Sequence, residues 1–328
     1  MKIALAVLLL AATANADVWQ QAVEHRNDTK DLYAEHLQRG DDLVTSASVR
    51  AASLSSVRHN LDAAIAEYKA AGDLHPNDGE PYYRIGTVLQ LFFVECLRSA
   101  LPICDALTLN SNRAAEVVAA FDEFERRAPM DPRVTELLFE RAVLRTKLVS
   151  SVASGSKAAV ALLEGAATDY KKLLERRDTV TNNQPHVVVG NLAETYMMLG
   201  RAEDAVPLYQ EAVRMGGPIS TRYGLAVALD RDDRGEEALA TIRDQGPTAQ
   251  QAFVHEFQVR DIFFVPAGEE YYYFALAAEA FDQNAAAITY WNAYLRSGAH
   301  PEYQPRAKEH IAALRKKPAQ PIQPSLDE

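Results

Sequence analysis

The sequence has little of what small disulfide-bonded domains, sheets or nucleic-acid-binding proteins need. Only two of its 328 residues are cysteine, and proline and glycine number just 15 each. With so few helix breakers and so much alanine, the composition favours helices over sheets. The formal net charge is -11 and there is no basic run. Phosphate contacts therefore offer the chain nothing, which makes nucleic acid and anionic membranes poor partners.

The common motifs of catalytic and cofactor sites are missing as well. None of the eight histidines pairs with another histidine or a cysteine at a metal-ligand spacing, and His255 lacks the second histidine four residues on that a zinc helix needs. Ser154–Lys157 lacks the glycine and the strand that precede a phosphate-binding loop. No Gly-x-Ser-x-Gly elbow is present. We therefore predict no metal, no cofactor and no enzymatic activity.

The amino terminus has the organisation of a secretory signal. Lys2 precedes an apolar run over Ile3–Ala12, and Ala14–Ala16 supplies the small residues of a cleavage site. The alternative is a transmembrane anchor, but the run is well short of the about 20 residues that a spanning helix needs. No cysteine lies near the cleavage site, so the chain does not have the pattern of a lipoprotein. We predict that the protein is exported, either to a periplasm or to the medium.

The rest of the chain is organised around a helical hairpin at His186–Met215. Gly200 divides it, because glycine can take the positive φ at which helices often end. Small and aromatic residues recur at helical spacing on both sides of that glycine. They are Leu192, Ala193 and Tyr196 on the first helix, and Ala205, Tyr209 and Ala212 on the second.

This stretch resembles a tetratricopeptide repeat, a helix–turn–helix unit of about 34 residues. One such hairpin cannot bury its own apolar face, so the resemblance implies further hairpins on either side. Ala64, Tyr68 and Ala71 repeat the small–aromatic–small order. In two later hairpins Asp233 and Asp282 occupy the turn position that Gly200 holds in the central one.

Two adjacent hairpins are predicted to be longer than the others. In the central repeat, nine residues separate the last core residue of the first helix, Tyr196, from Ala205. The corresponding separation is 28 residues from Leu89 to Val117 and 24 from Ala142 to Ala166. At 3.6 residues per turn, about two extra turns on each arm roughly account for either excess. The predicted tips are Ser99–Asn112 and Ser154–Ser156.

The predicted fold class is all-α, a tetratricopeptide-like α-solenoid of antiparallel helical hairpins. The carboxyl-terminal end of the chain contains Pro318, Pro321 and Pro324, a composition typical of a disordered tail. The predicted organisation is a signal peptide over residues 1–16, a capping helix over 17–44, the solenoid over 45–314 and the tail over 315–328.

The two cysteines, Cys96 and Cys104, fall in or beside the first lengthened tip. Eight residues of unbroken helix rise about 12 Å, too far for a disulfide, but Pro102 makes an unbroken helix there unfavourable. A close pair in an exported protein is more often bonded than free. We predict a disulfide, with two buried thiols as the alternative. A redox site would usually show Cys-x-x-Cys, which is absent.

The family resemblance also implies a binding surface. In tetratricopeptide repeats the first helices line a concave groove that binds extended peptides. The residue that points into this groove is Tyr83, Tyr223 or Tyr272 in three of the repeats, and Glu140 and Glu194 lie one turn further along their helices. Tyrosine suits a binding surface, although these side chains could equally pack between neighbouring helices.

Charge in the predicted groove bears on the partner. Chaperone-binding members of the family hold a peptide carboxylate with lysine and asparagine, whereas this chain has tyrosine and glutamate in such positions. The difference argues against a carboxylate clamp and favours a neutral or basic partner. The sequence thus predicts an exported scaffold that binds a protein or extended peptide. The alternatives are an envelope component that self-associates through the lengthened hairpins, and a cell-wall-acting enzyme with groove carboxylates.

Overall fold

The computed structural model describes residues 2–49, 53–91, 111–176, 185–258 and 267–317. Throughout these ranges the chain is helical, with turns and no strand. The fold is an all-α, tetratricopeptide-like solenoid of antiparallel hairpins. Its α-helices are α1 Lys2–Val49, α2 Leu54–Leu74, α3 Glu80–Leu89, α4 Ser111–Arg127, α5 Arg133–Leu148, α6 Lys157–Glu175, α7 Pro185–Met198, α8 Ala202–Arg214, α9 Ile219–Arg231, α10 Gly235–Arg243, α11 Pro247–Gln258, α12 Glu270–Ala280, α13 Asn284–Ser297 and α14 Gln304–Lys316.

The chain divides into two compact units, Met1–Leu137 and Leu138–Glu328. In the first unit α1 packs along α2, and α3 pairs with α4. A Cβ atom on Gly86 would lie 2.2 Å from the ring of Phe121, so only glycine lets α4 approach α3 so closely. Tyr68, one of the small–aromatic–small residues, is buried and donates a hydrogen bond of 2.8 Å to Asp41.

The second unit contains the hairpins α7–α8, α9–α10 and α12–α13, with α6 against α7 and α14 against α13. The residues that carry the repeat pattern are buried as the sequence predicts. Alanine lies at the helix crossings and an aromatic residue fills the space beyond each one. These residues are Ala193, Tyr196, Ala205, Tyr209, Ala212, Ala287, Trp291 and Tyr294.

The turns of the three hairpins share one backbone conformation. Gly200, Asp233 and Asp282 have φ values of 71°, 58° and 56°, in the left-handed region. Among residues with a side chain, aspartate and asparagine enter this region most readily, because their short polar groups can hydrogen-bond locally. The prediction that Asp233 and Asp282 take the place of Gly200 is confirmed.

The second hairpin is longer than the central one, as predicted, but the prediction of about two extra turns on each arm is wrong, because α5 is only two residues longer than α7. Helices α5 and α6 have 16 and 19 residues, compared with 14 and 13 for α7 and α8. The rest of the excess lies in the connection, where a 3-10 turn at Val149–Ser151 precedes Gly155, which has a φ of 67°. Ser156 then caps α6 by accepting a hydrogen bond from the Ala159 amide. The tip of the first lengthened hairpin, with Cys96 and Cys104, lies outside the described residues.

The helices at the two ends of the chain leave the predicted domain boundaries untested. Helix α1 runs without a break through both the predicted signal and the predicted capping helix, and ends at Val49. Export remains a prediction. Helix α14 ends at Lys316, and the remainder of the predicted tail lies outside the described residues. Across the described ranges, no helix is both long enough and apolar enough to span a membrane.

A substitution at Ala205 tests the helix crossing of the central hairpin. This side chain is fully buried, so Ala205→Leu should lower the free energy of unfolding by about 1–3 kcal/mol through overpacking. The matched control is Ala161→Leu at an exposed position of α6, which should change it by less than about 0.5 kcal/mol. Urea denaturation measures both variants. Equal urea midpoints for the two variants would show that the helix crossing at Ala205 is loosely packed.

Candidate functional site

Two of the predicted groove tyrosines lie in the interior of the second unit. Tyr223 is 1% exposed, and the ring of Phe253 from α11 stacks parallel to it at a centroid distance of 4.1 Å. Tyr272 is 0% exposed, donates a hydrogen bond of 2.6 Å to Asp230 and packs edge-on against Trp291. Their placement in an open groove is therefore corrected. Both side chains pack between helices, so neither reaches a partner.

The two predicted groove glutamates are only partly exposed. Glu140 lies on α5. Glu194 accepts a hydrogen bond from the hydroxyl of Tyr209, and burial raises the pKa of its carboxyl group. Arg231 acts in the opposite direction through its charge. The carboxylate of Glu194 is thus engaged inside the unit, and a basic partner gains less from it than the sequence predicts.

Tyr83 is the predicted groove tyrosine that stays partly exposed. It lies on α3 in the first unit, where the guanidinium carbon of Arg133 is 4.2 Å from the centre of its ring. Arg133 is itself held by Glu80 and Asp131, each at 2.8 Å. The neighbouring Tyr82 has the same arrangement with Arg127 at 4.1 Å. Two tyrosines stacked under arginines therefore mark this part of α3.

A pocket of about 370 Å³ opens in the second unit, at the tip of the lengthened α5–α6 hairpin. Its walls come from that tip, from the end of α7 and from the 3-10 turn Pro301–Tyr303 before α14. Most of the lining side chains are apolar. They include Val149, Val152, Val160, Leu163, Met198 and Pro301. His300 and Glu302 form a polar end, with 3.0 Å between the Nδ1 and Oε1 atoms.

The turn that closes this pocket is held in a constrained conformation. His300 has a φ of 38°, which is uncommon for a residue other than glycine. Its carbonyl accepts a hydrogen bond of 3.1 Å from the Tyr294 hydroxyl. The hydroxyl of Tyr303 donates to the carbonyl of Gly200 at 3.0 Å, which attaches the turn to the corner between α7 and α8. The pocket therefore has a preformed wall.

A second cluster joins four charged residues of α9, α12 and α14. The ring of His310 lies between Glu279, at 2.8 Å from Nδ1, and Asp230, at 3.0 Å from Nε2. Arg306 and Tyr272 donate to Asp230 at 2.8 Å and 2.6 Å. A polar pocket of about 510 Å³ lies beside this cluster.

The electrostatics of this cluster oppose a catalytic role for His310. Burial alone would lower its pKa, but hydrogen bonds to Asp230 and Glu279 raise it to about 9. Burial would raise the pKa of Asp230, whereas contacts with His310, Arg306 and Tyr272 lower it to about 2. The imidazole is therefore cationic near pH 7, with both nitrogens donating. It cannot accept a proton there, so the arrangement is that of a structural ion network.

A buried ion pair lies deeper in the same unit. An Nη2 atom of Arg231 is 2.6 Å from an Oε1 atom of Glu269, and both side chains are almost fully buried. The guanidinium lies between the rings of Tyr272 and Tyr303, at 4.5 Å and 4.3 Å. Burial raises the pKa of Glu269 to about 7, against the attraction of Arg231. This pair fixes α9 against the start of α12.

These buried charges were not predicted from the sequence, although a signal for them was present. Asp230 and Arg231 end the otherwise apolar run of α9, and Glu279 lies within the apolar α12. Such residues stay buried only when they are paired. Across the described ranges, no group of three histidine, cysteine, aspartate or glutamate residues is placed to hold a metal ion.

Comparison with known proteins finds similarity among solved structures but not among protein families or curated proteins. No protein-family model and no curated protein matches the sequence. Among solved structures, the chain is similar to the crystal structure of the P58(IPK) TPR domain, with 13% identity and a TM-score of 0.24. The match covers 86% of this chain and 97% of that one. The fold of this chain follows from the hairpins described above and not from this likeness.

Proposed function

We propose that this chain is an exported, non-enzymatic scaffold that binds another protein or an extended peptide. The observation that carries the proposal is Tyr83, partly exposed on the first helix of its hairpin with Arg133 over its ring. Tyrosine and arginine are among the residues that most often dominate binding energy at protein interfaces. A helical hairpin presents them from a rigid backbone, which lowers the entropy lost on binding.

Two further features support a scaffold. The charged cluster around His310 holds its imidazole as a cation, which favours a structural over a catalytic role. A formal net charge of -11 favours basic partners through long-range attraction, although Glu194 contributes less than the sequence predicts. The alternative of a cell-wall-acting enzyme needs free groove carboxylates, and Glu194 is engaged with Tyr209. One observation favours the other alternative, self-association through the lengthened hairpin: Val160 is an apolar side chain exposed on that hairpin.

Removing the Tyr83 ring tests the proposal. Tagged protein first captures a partner from an envelope extract, and the affinity for that purified partner is then measured by calorimetry. Tyr83→Ala should weaken binding by about 1–2 kcal/mol, because a partly exposed aromatic anchor is lost. Its melting temperature should stay close to that of the wild type.

The matched control is Tyr271→Ala, which removes another partly exposed tyrosine, on α12 of the second unit. This variant should bind like the wild type. Unchanged affinity in Tyr83→Ala would remove the surface around Tyr83 from the proposal. A fall in the melting temperature equal to that of Ala205→Leu would show that Tyr83 is a core residue.

A further inference from the structure

The apolar pocket at the α5–α6 tip has the features of a built binding site for one apolar side chain. We infer that it takes a leucine-like or phenylalanine-like residue of a partner protein, next to a lysine or arginine that pairs with Glu302. This inference rests on the proposed function, because it names the partner chemistry of a scaffold that binds proteins. It concerns the tip of a hairpin and not the concave face that the family resemblance implies.

The size and lining of the pocket fit such a side chain. Its volume of about 370 Å³ falls within the about 300–1,000 Å³ typical of ligand sites, which are mostly apolar with a few placed polar groups. Val160 is 44% exposed at its edge, so an apolar surface there is left in contact with water. Met198 lines the interior, and methionine adapts its flexible side chain to different occupants.

The charge at one end of the pocket favours a cationic residue in the partner, next to the apolar residue that enters the pocket. Glu302 is the one carboxylate among the described residues that line the pocket, and its side chain is 51% exposed. Its contact with His300 leaves the carboxylate open to solvent on the outer side. Glu164, also 51% exposed on the adjoining helix α6, is paired with Arg201 at 3.5 Å, so the negative charge at this end of the pocket comes from Glu302. A cation beside the apolar side chain of the partner completes this arrangement, and an anion would be repelled.

The walls of the pocket are fixed before any partner arrives. Tyr303 attaches the turn to Gly200, Tyr294 holds the carbonyl of His300, and Ser156 caps α6 at the tip. A preformed site loses little conformational entropy on binding, which favours short segments with one anchoring residue.

The test follows the methyl group of Met198 by NMR on protein labelled at the methionine methyls. The probe is a defined peptide, acetyl-Gly-Ser-Leu-Lys-Ser-Gly-amide, added to the full chain. Only five methionines are present, and Met198→Leu assigns the signal. We expect a saturable shift of the Met198 signal, while Met130, which is 90% exposed in the first unit, does not shift. A peptide with serine for leucine should bind about tenfold more weakly or worse, because it loses the burial of an apolar side chain.

Matched variants separate the two parts of the site. Val160→Lys places a charge at the pocket edge and should abolish the Met198 shift, whereas Ala161→Lys, on the exposed side of α6, should leave it unchanged. Glu302→Gln should remove the preference for lysine over glutamate in the peptide while keeping the preference for leucine over serine. Absence of a saturable Met198 shift up to the solubility limit of the peptide would overturn the inference.

Two other occupants give distinct results. Residues 259–266 precede Ala267, which lines the pocket, and include Phe263 and Phe264. If Phe263→Ser with Phe264→Ser shifts the Met198 signal of the free protein, the chain fills its own pocket and the inference fails. A Met198 signal that changes with protein concentration would assign the pocket to a second copy, which also overturns it.

Failure of this inference is distinguishable from failure of the proposed function. If the purified partner binds Val160→Lys as it binds the wild type but binds Tyr83→Ala more weakly, the scaffold function stands and the pocket is excluded. If neither variant alters binding, neither surface takes part.

Discussion

Asp169→Asn is expected to lower the free energy of unfolding of the second unit by about 3–5 kcal/mol, the usual result of breaking a buried ion pair. Asp169 is 1% exposed on α6 and faces two arginines of α5. Arg141 donates to it through Nε at 2.9 Å and through Nη2 at 2.6 Å, and Arg145 contacts the same carboxylate. Asparagine keeps the shape but not the charge, so Arg141 and Arg145 would both lose the negative charge of this shared, buried carboxylate.

The control is Asp204→Asn, which breaks a pair of similar length with Arg201 on the protein surface. That pair has 2.6 Å between its atoms, but both side chains are about 40% exposed, and its loss should change the free energy by at most about 1 kcal/mol. Urea denaturation followed by circular dichroism measures both variants. Losses of similar size would mean that water screens Asp169 as well.

A second variant tests whether the buried ion cluster itself stabilises the folded protein. Replacing Arg141, Arg145 and Asp169 together by Met, Met and Leu removes both arginines and the carboxylate that they share. Buried ion clusters can often be replaced by apolar residues of similar volume without loss of stability. The triple variant should therefore recover most of the loss seen in Asp169→Asn. If it is as unstable as the single variant, the ions themselves hold α5 against α6.

The fold was predictable because its signals are local. Ala205 and Tyr209 repeat at helical spacing, and the turn residue between helices must tolerate a positive φ, which Asp233 and Asp282 can do. The lengthening of the α5–α6 hairpin followed from counting residues between Ala142 and Ala166. None of these inferences needed to know which parts of the chain meet in space.

The binding surface was predicted less well, because exposure depends on distant segments. Tyr223 occupies a groove position of its own repeat, but α11 lies between two hairpins and places Phe253 over its ring. Tyr272 is buried, and its hydroxyl donates a hydrogen bond to Asp230, which lies 42 residues earlier in the chain. A repeat pattern identifies the position of a side chain on its helix. It does not show whether an inserted helix, such as α11, covers that side chain.

The pocket and the charged clusters could not be located from the sequence for the same reason. Met198 and Pro301 are more than 100 residues apart, and they line one pocket only because the turn before α14 returns to the α7–α8 corner. His310 meets Asp230 across 80 residues. Periodicity could indicate that Asp230 and Glu279 were paired charges in apolar helices, but it could not name their partners.

His310 makes the stability of the second unit depend on pH, with a defined sign. The folded protein holds the imidazolium between Asp230 and Glu279, which raises its pKa from about 6.5 to about 9. Below pH 6.5 the imidazole is protonated in both the folded and the unfolded chain, so the full stabilisation is present. As the pH rises towards 9 the unfolded chain loses its proton first, and the stabilisation is progressively lost.

We expect the difference in free energy of unfolding between the wild type and His310→Gln to shrink by about 3 kcal/mol from pH 6 to pH 9.5, from the size of the shift at 1.36 kcal/mol per pH unit. Taking the difference removes the contribution of groups common to both proteins, including Glu269, whose raised pKa also lowers stability as the pH rises from about 4.5 to about 7. Urea denaturation at four pH values measures it. A difference that stays constant or grows with pH would mean that the imidazole is neutral in the folded protein. His310 could then act as a base, whereas the cationic imidazole of the ion network described above cannot.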